Sequence, residues 1–153
     1  MTDVTLSSFI SLFALFGKEE QVDEARAKQM LVNYLRRHFG VRNTDVYIDL
    51  YDDMRMAYDM AENIDSRQTV TTICNGLQGE IRSKEKSLLL LRLMEFCGYA
   101  EGRHNEIFTT MQECFGISDE QFKDFRDFVS NKTTDKVMIH RLENTDGEIR
   151  TLL

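Results

Sequence analysis

Glu101, His104 and Glu106 fall within six positions of one another in the stretch CGYAEGRHNEIF, residues 97–108, which lies between two strongly apolar runs. Acids and an imidazole gathered around a glycine suggest metal chemistry first. A hard divalent cation needs several oxygen ligands converging on one point. Glu101, Glu106 and the backbone around Gly102 would supply some of them. A second acidic stretch, GKEEQVDEARAKQ, offers Glu19, Glu20, Asp23 and Glu24 for the rest. The regular Asp/Asn alternation of an EF-hand loop is missing from both. Acids just ahead of a helix also have a plainer use, because their charge complements the N-terminal end of the helix dipole.

The other chemistries lack parts. Glu101-x-x-His104 has the glutamate–histidine spacing of a di-iron bundle, which needs that motif twice. Neither His38 nor His140 has a glutamate three residues before it. His104-x-Glu106 matches the start of a zinc-deaminase signature, but the chain contains no proline and so no Pro-Cys-x-x-Cys. Cys97 and His104 form the only near nucleophile–base pair, with no orienting acid or oxyanion donor at a recognisable spacing. No catalytic residue is assigned. Cys74, Cys97 and Cys114 form no CxxC and sit in apolar helical contexts, as reduced buried thiols would in a cytoplasmic protein.

One further stretch carries recognition chemistry. Met54, Met56 and Met60 fall on one predicted helix, and methionine fills cores and adaptable binding grooves alike. Tyr47, Tyr51 and Tyr58 share a face of the same helix, near Asp49, Asp52 and Asp53. Such a face is either core or a docking surface for a partner.

The elements that position these residues are helices. At 153 residues the chain suits one domain, and 42% hydrophobic with 29% charged residues is ordinary for a globular protein. Without proline, helices with brief connectors are the simplest construction. Met30, Leu31, Tyr34, Leu35, His38 and Phe39 recur at steps of three and four, as do Tyr47, Leu50, Tyr51, Met54 and Tyr58. Residues 87–97, SLLLLRLMEFC, are apolar nearly all round and predict the most enclosed helix. Phe39-Gly40 and Phe115-Gly116 each read as a helix stop, followed by the polar caps Asn43-Thr44-Asp45 and Ser118. Residues 9–17, FISLFALFG, are too short to span a bilayer and run straight into Lys18-Glu19-Glu20, so they read as a core helix and exclude direct membrane insertion. The net charge of −7 argues against a nucleic-acid partner. After residue 130 the pattern alternates as KVMIHRL, ENTDG, EIRTLL, which predicts a short hairpin. That hairpin either packs on the helices or opens a further domain of a longer chain.

Two stretches of the chain can be laid on each other. LFALFGKEEQVDEARAKQMLVNYLRRHFGVRNTDVYIDLYDDM and LMEFCGYAEGRHNEIFTTMQECFGISDEQFKDFRDFV both read as apolar helix, glycine, acidic linker, amphipathic helix, Phe-Gly, cap and helix. The expected fold is an all-α, seven-helix bundle over residues 3–130, built as a pseudo-twofold repeat, with a C-terminal β-hairpin extension over 131–153. This doubled pattern resembles the TerB-like helical family, found also in the N-terminal part of some DnaJ-type co-chaperones. The resemblance runs from Phe9 to Val129 and is marked by Ala100-Glu101-Gly102 with Glu106 beyond it, where the family typically has Ala-Asp-Gly.

In some members those acids bind a divalent metal, so the resemblance implies a divalent cation on Glu101 and Glu106 with Glu19, Glu20, Asp23 and Glu24. It implies a non-catalytic interaction or regulatory module of the bacterial cytoplasm, whose partner is a protein or the remainder of a longer chain. The alternative is a metal-dependent enzyme using the same acids. The whole chain also looks like the leading segment of long bacterial ABC-type ATP-binding proteins. It holds no G-x-x-x-x-G-K-[ST], so a nucleotide site would lie elsewhere.

Overall fold

In a computed structural model, residues 3–99 and 105–130 are described, and they form seven α-helices with no strand among the described residues. The helices are α1 (Asp3–Glu20), α2 (Glu24–Phe39), α3 (Asp45–Met60), α4 (Ser66–Leu77), α5 (Ser83–Cys97), α6 (Glu106–Phe115) and α7 (Asp119–Ser130). The hairpin and the domain boundary expected at residue 131 fall outside the described residues.

Two apolar helices organise the rest. In α1 an unbroken run from Leu12 to Gly17 is buried, and in α5 so are Leu88 to Leu91, Leu93, Met94 and Phe96. A helix apolar on all sides must be covered on all sides. Accordingly α1 packs along α3 and also against α4 and α5, while α5 is covered by α2, α6 and α7. The expectation for α5 holds, and α1 shares its central position. Helix α5 also begins at Ser83, a turn before the apolar run, where Glu85 accepts from the Arg82 backbone N–H at 3.1 Å.

Phenylalanines on α1 knit the bundle. Phe9 packs on Phe39, Phe13 meets Tyr34 and, edge to face at 4.9 Å, Phe96, and Phe16 meets Phe108 at 4.9 Å. Such aromatic pairs add about 0.5–1.5 kcal/mol each beyond the area they bury. No described helix is long and apolar enough to cross a membrane.

The ends follow local chemistry. Asp23, Asp65 and Asn105 cap α2, α4 and α6 by accepting from backbone N–H groups of the first turn. Ser118 Oγ accepts from Gln121 N–H at 3.1 Å ahead of α7, as its position after Phe115-Gly116 predicts. Ahead of α3 the cap is Asn43, which accepts from Asp45 N–H at 3.3 Å, and Thr44 makes no cap bond. Both Gly40 and Gly116 are left-handed, so both Phe-Gly stops are real. Despite Gly76 in its last turn, α4 is held by Val70, Cys74 and Leu77 in the core.

Candidate functional site

Of the acids expected to bind a cation, those among the described residues have separate partners. Asp23 is the N-cap of α2 and accepts from Ala25 and Arg26 N–H at 3.1 and 3.5 Å. Glu19 accepts from the Ser66 hydroxyl at the start of α4 and from Lys18. Glu24 is bound to Arg55 of α3 at 2.5 Å. Glu20, in the last turn of α1, is half-buried and has a partner of its own. Glu106 opens α6, where its charge suits the dipole, and lies 3.6 Å from Arg67 with both side chains well exposed. Glu101 and His104 lie outside the described residues. Among the described residues no three His, Cys, Asp or Glu side chains gather as a metal would need.

What the structure does assemble from these acids is a cluster the sequence reading missed. Glu24, Arg55 and Tyr51 meet over Gly17 of α1. A Cβ placed on Gly17 would stand 2.8 Å from the Tyr51 hydroxyl and 2.9 Å from Arg55 Nη1, so only glycine leaves room for them. Tyr51 is fully buried. Burial, and then the negative charge of Glu24, push its phenol well above the usual tyrosine range, so it stays protonated. Burial works against the charge of Arg55, but Glu24, Tyr51 and Asp59 outweigh it and hold the guanidinium firmly protonated. One neighbouring arginine closes another seam: Arg26 of α2 donates to the carbonyls of Phe96 and Glu95 at 3.2 and 3.1 Å, at the C-terminal end of α5. The available signal was Gly17 itself, the one glycine of α1, together with the i, i+4 spacing of Tyr51 and Arg55.

That cluster sets the rotation of α3 and therefore what α3 shows to solvent. Tyr51 points inward, and Tyr58 meets Ser11 of α1 at 2.5 Å. The tyrosine face is thus the packed face, and the docking surface sketched on those tyrosines is corrected. The methionines divide: Met54 is half-buried, while Met56 and Met60 are 61% and 75% exposed, and Val46 is 60% exposed. Tyr51 is the only fully buried residue of the sixteen in α3. Val46, Asp49, Asp53, Met56 and Met60 follow steps of three and four, which makes one continuous outer stripe. Asp52 is paired with Lys28 at 2.7 Å and Asp59 with Arg55, whereas Asp49 and Asp53 have no ion-pair partner among the described residues.

A second surface feature is an open, polar groove between α4 and α6, whose lining includes Asp65, Arg67, Gln68, Asn75, Glu113 and Cys114. Its two acids, Asp65 and Glu113, do not gather with a third His, Cys, Asp or Glu among the described residues, and no histidine lies beside Cys114 in the lining. No family model matches the chain, and searches of curated proteins and of solved structures return no match.

Proposed function

We propose that the protein is a non-catalytic interaction module whose working surface is the outer stripe of α3, and that its partner is a basic amphipathic helix. The observation that carries this reading is the exposure of Val46, Met56 and Met60 in one stripe with the unpaired Asp49 and Asp53 between them. Large apolar side chains at heptad spacing are what a second helix packs against. Methionine adapts to varied partners. Two aspartates in mid-stripe ask for lysine or arginine opposite them and oppose a second copy of the same face, since like charges would meet in the middle. A sixteen-residue helix is only about 24 Å long, so the interface is of the small, transient kind.

The test is titration with a synthetic helical peptide bearing leucines at heptad positions flanked by lysines, followed by the methionine methyl resonances. Met56 and Met60 should shift while the buried Met94 and Met111 stay in place. Adding salt should weaken binding, and Asp49→Lys with Asp53→Lys should weaken it about tenfold or more. Equal binding of a peptide with glutamates in place of the lysines would overturn the reading. So would self-association of the protein through this stripe.

The TerB-like kinship belongs to the same proposal. Its supports are the two left-handed glycines that end α2 and α6 after phenylalanine, and the shared central position of α1 and α5. The pseudo-twofold repeat, the bacterial cytoplasmic setting and attachment to an ATPase region stand on that resemblance, and the three free cysteines suit a reducing compartment. The cation reading rests on it too. A cation present at ~100 times its dissociation constant would add about 2.7 kcal/mol of stability. A rise in melting temperature with calcium, magnesium, manganese or zinc that Glu101→Ala removes would therefore replace the purely protein-binding reading.

A further inference from the structure

Cys74 lies on α4 and Cys114 on α6, two helices packed closely together. Cys114 Sγ lies 3.1 Å from Asn75 Oδ1 and 3.6 Å from Gln78 Nε2, the residue after Cys74 and the residue one turn beyond it. Gln78 also donates to the Cys114 carbonyl, which fixes this part of α6 against α4. Asn75 and Gln78 flank Cys74 at the end of α4, at i+1 and i+4, so Cys114 Sγ sits in the notch beside Cys74. Cys74 is buried and Cys114 is half-exposed at the wall of the α4–α6 groove, so one member of the pair can be reached from solvent and the other cannot. Cys97 is elsewhere, its thiol directed at the Phe16 carbonyl at 3.8 Å.

We infer that Cys74 and Cys114 form a reversible disulfide that locks α4 to α6 when the protein meets an oxidised small-molecule disulfide. The first step falls to Cys114, the accessible thiol. Its thiolate attacks one sulfur of the small disulfide, forms a mixed disulfide and releases one small thiol. Cys74 then gives up its proton, its sulfur attacks Cys114 Sγ, and the second small thiol leaves. Two protein thiols are oxidised to one disulfide while one small disulfide is reduced to two thiols. Burial holds the Cys74 thiol protonated, above the ordinary cysteine range, so the second step is the slow one and quickens as pH rises. The crosslink encloses α5 and the segment before α6, and it restricts the unfolded chain more than the folded one. This site is separate from the α3 stripe and does not depend on it.

The whole chain, incubated with oxidised glutathione without denaturant, should lose two free thiols and the mass of two hydrogens, stay monomeric and melt several degrees higher. Dithiothreitol should reverse all of this. Peptide mapping should join the Cys74 peptide to the Cys114 peptide. Cys97→Ser should react as the parent does, and Cys114→Ser should form no intramolecular bond. Cys74→Ala should stop at glutathione carried on Cys114. Should that variant fail to fold, mapping of the parent protein decides alone, with the urea-unfolded chain as the reference in which Cys97 pairs freely. Stable glutathione on Cys114 of the parent, a disulfide-linked dimer, or a native crosslink that includes Cys97 would each overturn the inference.

Discussion

Gly17 and Gly98 occupy the same place in the two similar stretches of sequence, directly after an apolar helix, yet they do opposite things. Gly98 is left-handed at φ 63° and ends α5: its N–H reaches Met94 and Glu95 carbonyls, and Tyr99 N–H closes on Met94 at 2.9 Å. Gly17 stays inside α1, which continues to Glu20. The first is glycine for its backbone freedom and the second for the space it leaves.

The consequences spread through each half. Around Gly17 the first half builds a polar joint from Glu24, Tyr51 and Arg55. The second half has no such joint among the described residues. It buries Phe122, Phe125 and Phe128 of α7 instead, and fastens the α6–α7 turn with Gln112, whose amide donates to Ile117 O and Asp119 at 3.2 and 2.7 Å. The turns after Phe-Gly differ as well. Ile117 N–H reaches back five residues to Gln112, whereas Val41 N–H reaches back six to Leu35, a wider last turn. One sequence pattern thus supports two fastenings, because the neighbour that meets the glycine decides what the glycine is for.

The strongest way to break this contrast is Gly17→Val. A branched side chain there collides with Tyr51 and Arg55 and forces α3 away from α1, with an expected loss of about 3 kcal/mol in urea unfolding. Arg55→Met should cost less, roughly 1–2 kcal/mol, because it leaves Glu24 without its partner while Glu24 keeps access to water. A double-mutant cycle with Glu24→Gln should show coupling between the two. At position 98 the ranking of substitutions should reverse. Gly98→Ala should cost about 1 kcal/mol for its left-handed backbone, and Gly98→Asn less, since asparagine tolerates that region. At Gly17 the smaller alanine should be the milder of the same two changes.

The smallest effect is a titration. The folded state binds the protons of Tyr51 and Cys74 more tightly than the unfolded chain does, because burial raises both groups. Their contribution to stability is therefore whole below the ordinary cysteine and tyrosine values, about 8.5 and 10, and is lost as pH climbs through and above them. Melting temperature should hold from neutral pH to about pH 8 and then fall. Tyr51→Phe should flatten the upper part of that fall, and an unchanged alkaline profile in that variant would detach Tyr51 from it.

Much of this was legible beforehand. The all-helical class, the enclosed α5, the Phe-Gly stops at 40 and 116 and the Ser118 cap could all be read from the chain, since each rests on apolar spacing or on bonds between residues a few positions apart. The rotation of α3 was not legible. Tyrosines and methionines are both apolar enough to sit on either face, and Gly17 decided it by admitting Tyr51 and Arg55. The acids of the first linker looked like one group because they are neighbours in sequence. In space Asp23 turns to its own helix, Glu19 to α4 and Glu24 to α3.

The chain by itself determined where helices begin and end and which two of them must be covered all round, because hydrogen bonding within a turn and the demand to bury apolar surface act locally along it. Only the packed structure decided which glycine is a stop and which a notch, which side of α3 meets water, and that Cys114 reaches Asn75 and Gln78 at the end of α4. Those outcomes depend on how helices distant in sequence rotate and approach one another, and that is set by which side chains fit together in a shared core.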